Sequence, residues 1–140
     1  MKKGFLSTAV AALILTAVLF NLTSCEKDEG KLPNISFKTT SGYTSADKNV
    51  NSGDAVLVGI NASKSEDEDV LKTFNIQHTV NSGSAVTDTT IVLPSSEEDS
   101  FSKDFTLTPT GVSGDKVKYT FTVSNRDGLV NNVYFTLTIN

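Results

Sequence analysis

The sequence predicts an all-β protein, folded as a single antiparallel β-sandwich of about seven strands. From residue 32 onward, apolar residues recur at every second position, which is the period of a strand with one buried face. Clusters of Gly, Asn, Asp, Ser and Pro separate these runs at nearly regular intervals. No amphipathic helical pattern interrupts them. Short strands with turn residues between them are typical of a sandwich.

Six runs carry the clearest alternation. In residues 73–80, Phe74, Ile76 and His78 share one face of the predicted strand, while Thr, Asn and Gln occupy the other face. The other runs are residues 34–37, 55–60, 101–107, 119–123 and 133–139. The expected core lies at the inward positions: Phe37, Val58, Phe74, Ile76, Phe105, Phe121, Phe135 and Leu137.

Length and composition limit the classes of function. A chain of 140 residues fits one domain. One Cys excludes an intrachain disulfide and any zinc site built from a Cys cluster. The net charge of −4 argues against nucleic acid as a partner, because nucleic-acid binding needs a basic surface.

The N-terminus has the organisation of a secretory signal. Lys2 and Lys3 precede an uncharged run of 16 residues, from position 5 to position 20. Such a run makes about 24 Å of helix, shorter than the ~30 Å hydrocarbon core of a bilayer. The run is therefore expected to be the apolar region of a signal peptide rather than a stable transmembrane span.

The four residues that follow resemble the lipobox of bacterial lipoproteins. Leu22, Thr23 and Ser24 precede Cys25, the chain's single cysteine. The resemblance implies removal of residues 1–24 as a lipoprotein signal peptide and palmitate-type acylation of Cys25. Acyl chains on that cysteine would anchor the protein to a membrane. The alternatives are a free thiol after an ordinary signal peptide, or a single-pass anchor.

A charged segment follows the cysteine, and residues 25–32 are expected to form the lipidated Cys and its tether. Lys27, Asp28 and Glu29 are similar to the export signal of Bacteroidota-type surface lipoproteins. That resemblance implies an outer-membrane protein displayed at the cell surface. The alternative is a solvated tether that only separates the domain from the lipid.

Residues 33–140 resemble PKD-type and related Ig-like domains. The resemblance lies in residues 53–67, which look like an early strand and loop, and in residues 121–128, which look like the last hairpin with its Asp-Gly turn. It implies an Ig-like sandwich. The Gly-Asp-Gly turn of the PKD signature and the Ig pair of cysteines with its core Trp are absent.

Catalytic motifs are scarce, and the chain is expected not to be an enzyme. His78 is the one imidazole, so no pair of histidines can hold a metal. A catalytic triad would have to be built around this residue. It occupies an inward position near the end of a strand. This position is more typical of a hydrogen-bonded residue at the edge of a core than of a catalytic base.

No cofactor is expected, with Ca²⁺ as the one candidate ion. Glu66, Asp67 and Asp69 form an acidic run, and the resemblance to PKD-like and cadherin-like domains adds Asp127 of the last hairpin. Calcium takes six to eight oxygen ligands, which neighbouring carboxylates can supply. The alternative is a solvated loop that keeps the protein soluble.

Two functions follow from this sequence. The first is a surface binding or adhesion module for a glycan or a protein, with exposed aromatics as its contacts. Tyr43 and Tyr134 are the candidates, because Tyr119 shares the parity of core residue Phe121, whereas Tyr134 alternates with Phe135. The second is a structural or accessory subunit of an outer-membrane nutrient importer or a surface fibre. The uncharged final strand, residues 132–140, would serve assembly if it lay at a sheet edge.

Overall fold

The computed structural model describes residues 30–140, and this part of the chain is all-β. The elements are β1 (Asn34–Phe37), β2 (Lys48–Val50), β3 (Val56–Ser63), β4 (Leu71–Val80), β5 (Val86–Val92), β6 (Ser100–Leu107), β7 (Lys116–Asn125) and β8 (Val130–Ile139). Among these residues there is no helix that could cross a membrane. The lipobox, Cys25 and the residues of the export signal lie outside the described residues.

The strands form two sheets. The smaller sheet has the order β1-β3-β6, and the larger has the order β2-β8-β7-β4-β5. Each neighbouring pair is antiparallel except β2 and β8, which run parallel. The prediction of an all-β fold is therefore confirmed.

Aromatic residues join the two sheets into one core. Phe37 of the smaller sheet lies edge-on to Phe121 of the larger sheet, with the ring centroids 5.5 Å apart. Phe74 stacks on Phe105 across the same interface at 5.3 Å. Six of the eight predicted core residues are buried, and Phe37 and Phe105 are half-buried and packed against them. The inward parity of the sequence thus identified the surfaces that the two sheets bury against each other.

The strand inventory differs from the prediction. The described residues contain eight strands rather than about seven, because β2 and β5 lie outside the six runs named above. β2 has three residues, and β5 is the Thr-rich outermost strand of its sheet, so neither has a long apolar alternation.

The final strand is covered on its second side only at its end. β8 pairs with β7 along one side and with β2 at residues 137–139 on the other, so that residues 130–136 have no neighbouring strand on that side among the described residues. The expectation that the chain's last strand could serve assembly therefore does not hold at its end, where Lys48–Val50 pairs with residues 137–139.

The segment before β1 is fixed to one end of the molecule, which we call the N-terminal pole. The backbone N–H of Lys31 donates to Glu66 at 3.1 Å. The hydroxyl of Ser65 donates to the carbonyl of Leu32 at 2.6 Å, and Asn131 donates to the carbonyl of Pro33 at 2.9 Å. If a lipid is attached upstream of residue 30, the chain that carries it therefore meets the folded domain at this pole.

Candidate functional site

Tyr134 stands on the solvent face of the larger sheet. Its side chain is 59% exposed, while the next residue, Phe135, is buried. The strand registers place Tyr134 beside Thr120 of β7, and Thr120 beside Gln77 of β4. An exposed aromatic ring thus lies in a row of hydroxyl and amide side chains.

This solvent face differs in charge from the rest of the protein. The three central strands β4, β7 and β8 contain no Asp or Glu, although the chain has 16 acidic residues. Their charged residues are Lys72, Lys116 and Lys118. We call the solvent side of these three strands the polar face. It is therefore neutral to basic in an acidic protein.

Lys118 interacts directly with the exposed ring. Its ammonium nitrogen lies 4.0 Å from the centroid of Tyr134, which is the geometry of a cation–π contact. Such a contact at an exposed site contributes about 0.5–1 kcal/mol. It holds the ring in place and sets a positive charge beside it.

Tyr43, the second predicted ligand-binding tyrosine, already has intramolecular partners. Its hydroxyl donates to Oδ2 of Asp104 at 2.8 Å, and the ammonium of Lys38 donates to Oδ1 of the same carboxylate at 2.6 Å. The hydrogen bond to Asp104 raises the pKa of Tyr43, and the two donors lower the pKa of Asp104. Tyr43 is half-buried against the smaller sheet, whereas Tyr134 belongs to the larger sheet.

The four residues predicted to bind calcium lie at the N-terminal pole, and the side chains of three of them have partners within the protein. Both carboxylate oxygens of Asp69 accept hydrogen bonds, one from the backbone of Val70 at 2.7 Å and one from Asn125 at 2.6 Å. Glu66 accepts from the backbone N–H of Lys31. Asp69 is buried, whereas Asp67 is exposed.

Asp127, the fourth, lies beside Arg126 in the turn between β7 and β8, with 3.7 Å between its Oδ1 and the Arg126 Nε. Within residues 30–140, no three His, Cys, Asp or Glu side chains are grouped so that they could hold a metal ion. Calcium binding by this chain stays a prediction from sequence.

A cleft opens between the two sheets at the end of the molecule opposite the N-terminal pole. Its volume is about 340 Å³. The larger sheet contributes apolar side chains of Ile76, Val117 and Tyr119, and β6 contributes Phe105 and Leu107. Four threonines also line the cleft, at Thr89, Thr106, Thr108 and Thr110.

One wall of the cleft carries a hydrogen-bonded histidine and carboxylate. The Nδ1–H of His78 donates to Oδ1 of Asp88 at 2.7 Å, and both side chains are about one-third exposed. Sequence reasoning placed His78 on the inward face of β4, where the structure has it. Asp88 was not among the predicted site residues, because the sequence of the Thr-rich strand β5 does not indicate that Asp88 contacts a histidine.

A β-bulge brings the two residues together. Consecutive residues Ile76 and Gln77 of β4 pair with Thr89 and Thr87 of β5, so Asp88 between them is the extra residue. A bulge changes the direction of a side chain relative to the regular alternation. Without it, Thr87 rather than Asp88 would face His78.

The sequence of this chain matches no known protein family and no curated protein. The sporulation control protein Spo0M from Bacillus subtilis is similar in structure, with a TM-score of 0.45 and 10% identity over 79% of this chain. A beta-glucosidase from Listeria innocua has a TM-score of 0.42 and 10% identity over 76% of this chain. This chain spans 50% of the first protein and 16% of the second, and neither likeness bears on what it binds.

Proposed function

We propose that this protein is a lipid-anchored, non-catalytic binding module of the Ig-like type, displayed on a bacterial outer membrane, and that its ligand is a glycan. The observation that carries the proposal is the exposed ring of Tyr134 on the polar face. Tyrosine is enriched at binding interfaces, because its ring buries a large apolar area while its hydroxyl can still form a hydrogen bond.

The chemistry of the polar face suits a carbohydrate. A sugar ring has an apolar C–H face that stacks on an aromatic ring, and hydroxyl groups around its rim. Thr120 and Gln77 extend from Tyr134 in one row, and Thr122 and Asn132 lie in the next row. These hydroxyl and amide groups both donate and accept hydrogen bonds, as a chain of sugars requires.

The position of the N-terminal pole agrees with display on a membrane. The segment at residues 30–33 joins the fold at one end of the strands, and the polar face runs along their sides. If Cys25 carries the lipid, four residues separate it from Gly30. The membrane would then lie at one end of the strands, and the polar face along their sides would stay accessible to long glycan chains.

Replacement of Tyr134 tests this function. In the Tyr134→Ala variant, we expect affinity for a glycan identified on an array to fall at least tenfold, because stacking on the ring is lost. The Val112→Ala variant is the control, since Val112 is also an exposed apolar residue but lies outside the strands. Isothermal titration of both variants measures the difference. Equal affinities for the two variants, or no glycan bound by the unaltered protein, would contradict the proposal.

Lys118 reports the charge of the ligand. For an acidic glycan, the Lys118→Ala variant loses an ion pair and binds more weakly. For a neutral glycan, the same change frees a face of the Tyr134 ring, and binding stays equal or improves. The same titrations at low and high salt separate these cases, because salt weakens the ion pair alone.

A second candidate function is assembly through the free edge of β5. Val86 and Val92 of this outermost strand are 51% and 76% exposed. The strand's one acidic residue, Asp88, is turned to His78, so it does not protect the edge. If a partner pairs with β5, the Val92→Lys variant will lose the complex seen by crosslinking in the membrane, while the Val112→Lys variant will keep it.

A further inference from the structure

The cleft between the sheets has the form of a ligand site that is separate from the polar face. Its volume of about 340 Å³ is at the lower end of the range of roughly 300–1,000 Å³ that small-molecule sites occupy. The cleft residues Ile76 and Tyr119 lie on the inner side of the larger sheet, whereas Tyr134 lies on its outer side. One ligand cannot contact both sites.

Polar atoms in the cleft have unused hydrogen-bonding capacity. Among the described residues, neither Oδ2 of Asp88 nor Nε2 of His78 has a protein partner. The bond to the carboxylate of Asp88 places a proton on Nδ1 of His78, so that Nε2 is left for a ligand. Two polar atoms are therefore held side by side at the cleft wall, and the bulge in β5 places Asp88 beside His78.

The charge of the lining selects the class of ligand. No Lys or Arg lines the cleft within residues 30–140, so an anionic group would have no counterion there. The one carboxylate is already paired with His78, which leaves no cluster for a metal ion. Apolar side chains form about half of the wall, and threonine hydroxyls supply further polar contacts.

We propose that this cleft binds a single uncharged sugar ring, with Asp88 and His78 hydrogen-bonded to its hydroxyls. The apolar C–H face of the ring packs on Leu107 and Val117 at the cleft floor. Thr108 and Thr110, beyond the end of β6, contact the rim of the ring. The site stands independently of the polar face, since it uses no residue of that face.

The chain's single histidine provides a selective probe. The full chain, labelled with ¹³C at histidine and solubilised in detergent, gives one side-chain signal, that of His78. Glucose, galactose, mannose and N-acetylglucosamine are titrated separately, with glucuronate as the charged comparison. We expect at least one neutral sugar to shift the His78 signal in a saturable way and to bind at least tenfold more tightly than glucuronate.

Two variants test the role of the cleft wall. Asp88→Asn keeps the shape of the side chain and is expected to weaken sugar binding at least tenfold, because a charged acceptor is lost. Thr108→Val replaces a rim hydroxyl and should weaken binding without affecting the Asp88–His78 pair. Thr90→Ala is the control: Thr90 lies in β5, as Asp88 does, but on the outer side of the strand, so this variant should bind the sugar as the unaltered chain does.

Other outcomes overturn the proposal. The first is a His78 signal that none of the neutral sugars shifts at concentrations up to about 100 mM, which is well above the dissociation constant expected for a ligand of this size. The second is tighter binding of glucuronate than of the neutral sugars. The third is unchanged binding in both the Asp88→Asn and the Thr108→Val variant. The Tyr134→Ala variant separates this proposal from the preceding one. Cleft binding should survive in that variant even though glycan binding at the polar face is lost.

Discussion

At the scale of single residues, a network on the smaller sheet shows how exposed polar groups fix one another. Asp104 accepts hydrogen bonds from both Lys38 and Tyr43, and the ammonium of Lys38 also lies 5.7 Å from the centre of the tyrosine ring. The two side chains cross the backbone of Gly59, which has no Cβ to obstruct them. Two residues of the connection between β1 and β2 and one residue of β6 are therefore held together above one glycine.

The pKa of Tyr43 tests this network. Its hydrogen bond to Asp104 raises the pKa of the phenol above the ordinary value near 10.0. In the Asp104→Asn variant, we expect the pKa of Tyr43 to fall toward that value, as followed by NMR of ¹³C-tyrosine. Asp99→Asn is the matched control, because Asp99 pairs with Lys64 instead. A Tyr43 pKa that is unchanged in Asp104→Asn would show that the hydrogen bond is absent in solution.

The same network makes stability depend on acid pH. The pKa of Asp104 lies below its ordinary value of 3.8, because Lys38 and Tyr43 donate to its charged form. A carboxyl group whose pKa is lower in the folded state stabilises the fold above the unfolded value, and this contribution disappears as the pH falls through the folded value. Between pH 5 and pH 2, Asp104→Asn should therefore lose less stability than the unaltered chain, as measured by thermal melts.

Gly59 is predicted to tolerate no larger residue. A Cβ at this position would lie 2.5 Å from Cδ of Lys38 and 2.8 Å from Cε1 of Tyr43. Gly59→Ala should therefore displace both side chains and destabilise the protein by about 1–3 kcal/mol, the usual cost of overpacking. Chemical denaturation measures this change, with Asn61→Ala on the same exposed face as the control. A stability equal to that of the control would mean that the two side chains move aside without cost.

At the scale of elements, a buried polar pair joins the loop before β4 to the hairpin of β7 and β8. Asp69 and Asn125 are both 3% exposed, and the Asn125 amide donates to the Asp69 carboxylate at 2.6 Å. The Asn125 carbonyl oxygen accepts from the backbone N–H of Leu129 at 2.8 Å, which closes the turn. One amide thus positions two loops at the N-terminal pole.

Removal of this amide should be costly. The Asn125→Ala variant leaves the buried Asp69 carboxylate without its side-chain partner and opens the turn, so we expect a loss of about 1–3 kcal/mol in the free energy of unfolding. Ser124→Ala, which removes a half-buried hydroxyl bonded to Thr73, is the control and should lose less. Equal losses in denaturant melts would mean that water replaces the amide at Asp69.

Within the larger sheet, regular alternation was predictable and its interruption was not. The inward positions of β4, β7 and β8 follow from period two, so the burial of Phe74, Phe121 and Phe135 could be predicted. The bulge at Asp88 could not, since one extra residue changes the alternation only relative to a partner strand. The pair of His78 and Asp88 depends on that partner, and sequence reasoning therefore missed it.

At the scale of the whole molecule, the N-terminal pole and the cleft lie at opposite ends. Strand β4 runs from Leu71, which pairs with Asn125 near that pole, to Val80, which lines the cleft. Ten residues of strand span about 30 Å. A lipid at Cys25 would therefore leave the cleft facing away from the membrane.

The anchor is tested in cells. In a Cys25→Ala variant, we expect the protein to leave the membrane fraction, because acyl chains at this position are the proposed attachment. Protease added to intact cells should digest the unaltered protein if it faces outward. A Lys31→Ala variant, changed beyond the proposed export signal, serves as the control and should stay membrane-bound. Membrane retention of Cys25→Ala would contradict lipidation, and protection until lysis would contradict surface display.

The sequence by itself determined the all-β class, the inward positions of six buried core residues and the outward position of Tyr134, because each depends on a period that is local to one strand. Tertiary structure alone decided the order of the strands, the short strand β2 beside β8, and the meeting of Asp88 with His78. These features depend on which strands become neighbours and in what register. The physical reason is that register and neighbours are set by the packing of the whole sandwich, whereas alternation is set by the pleat of each strand.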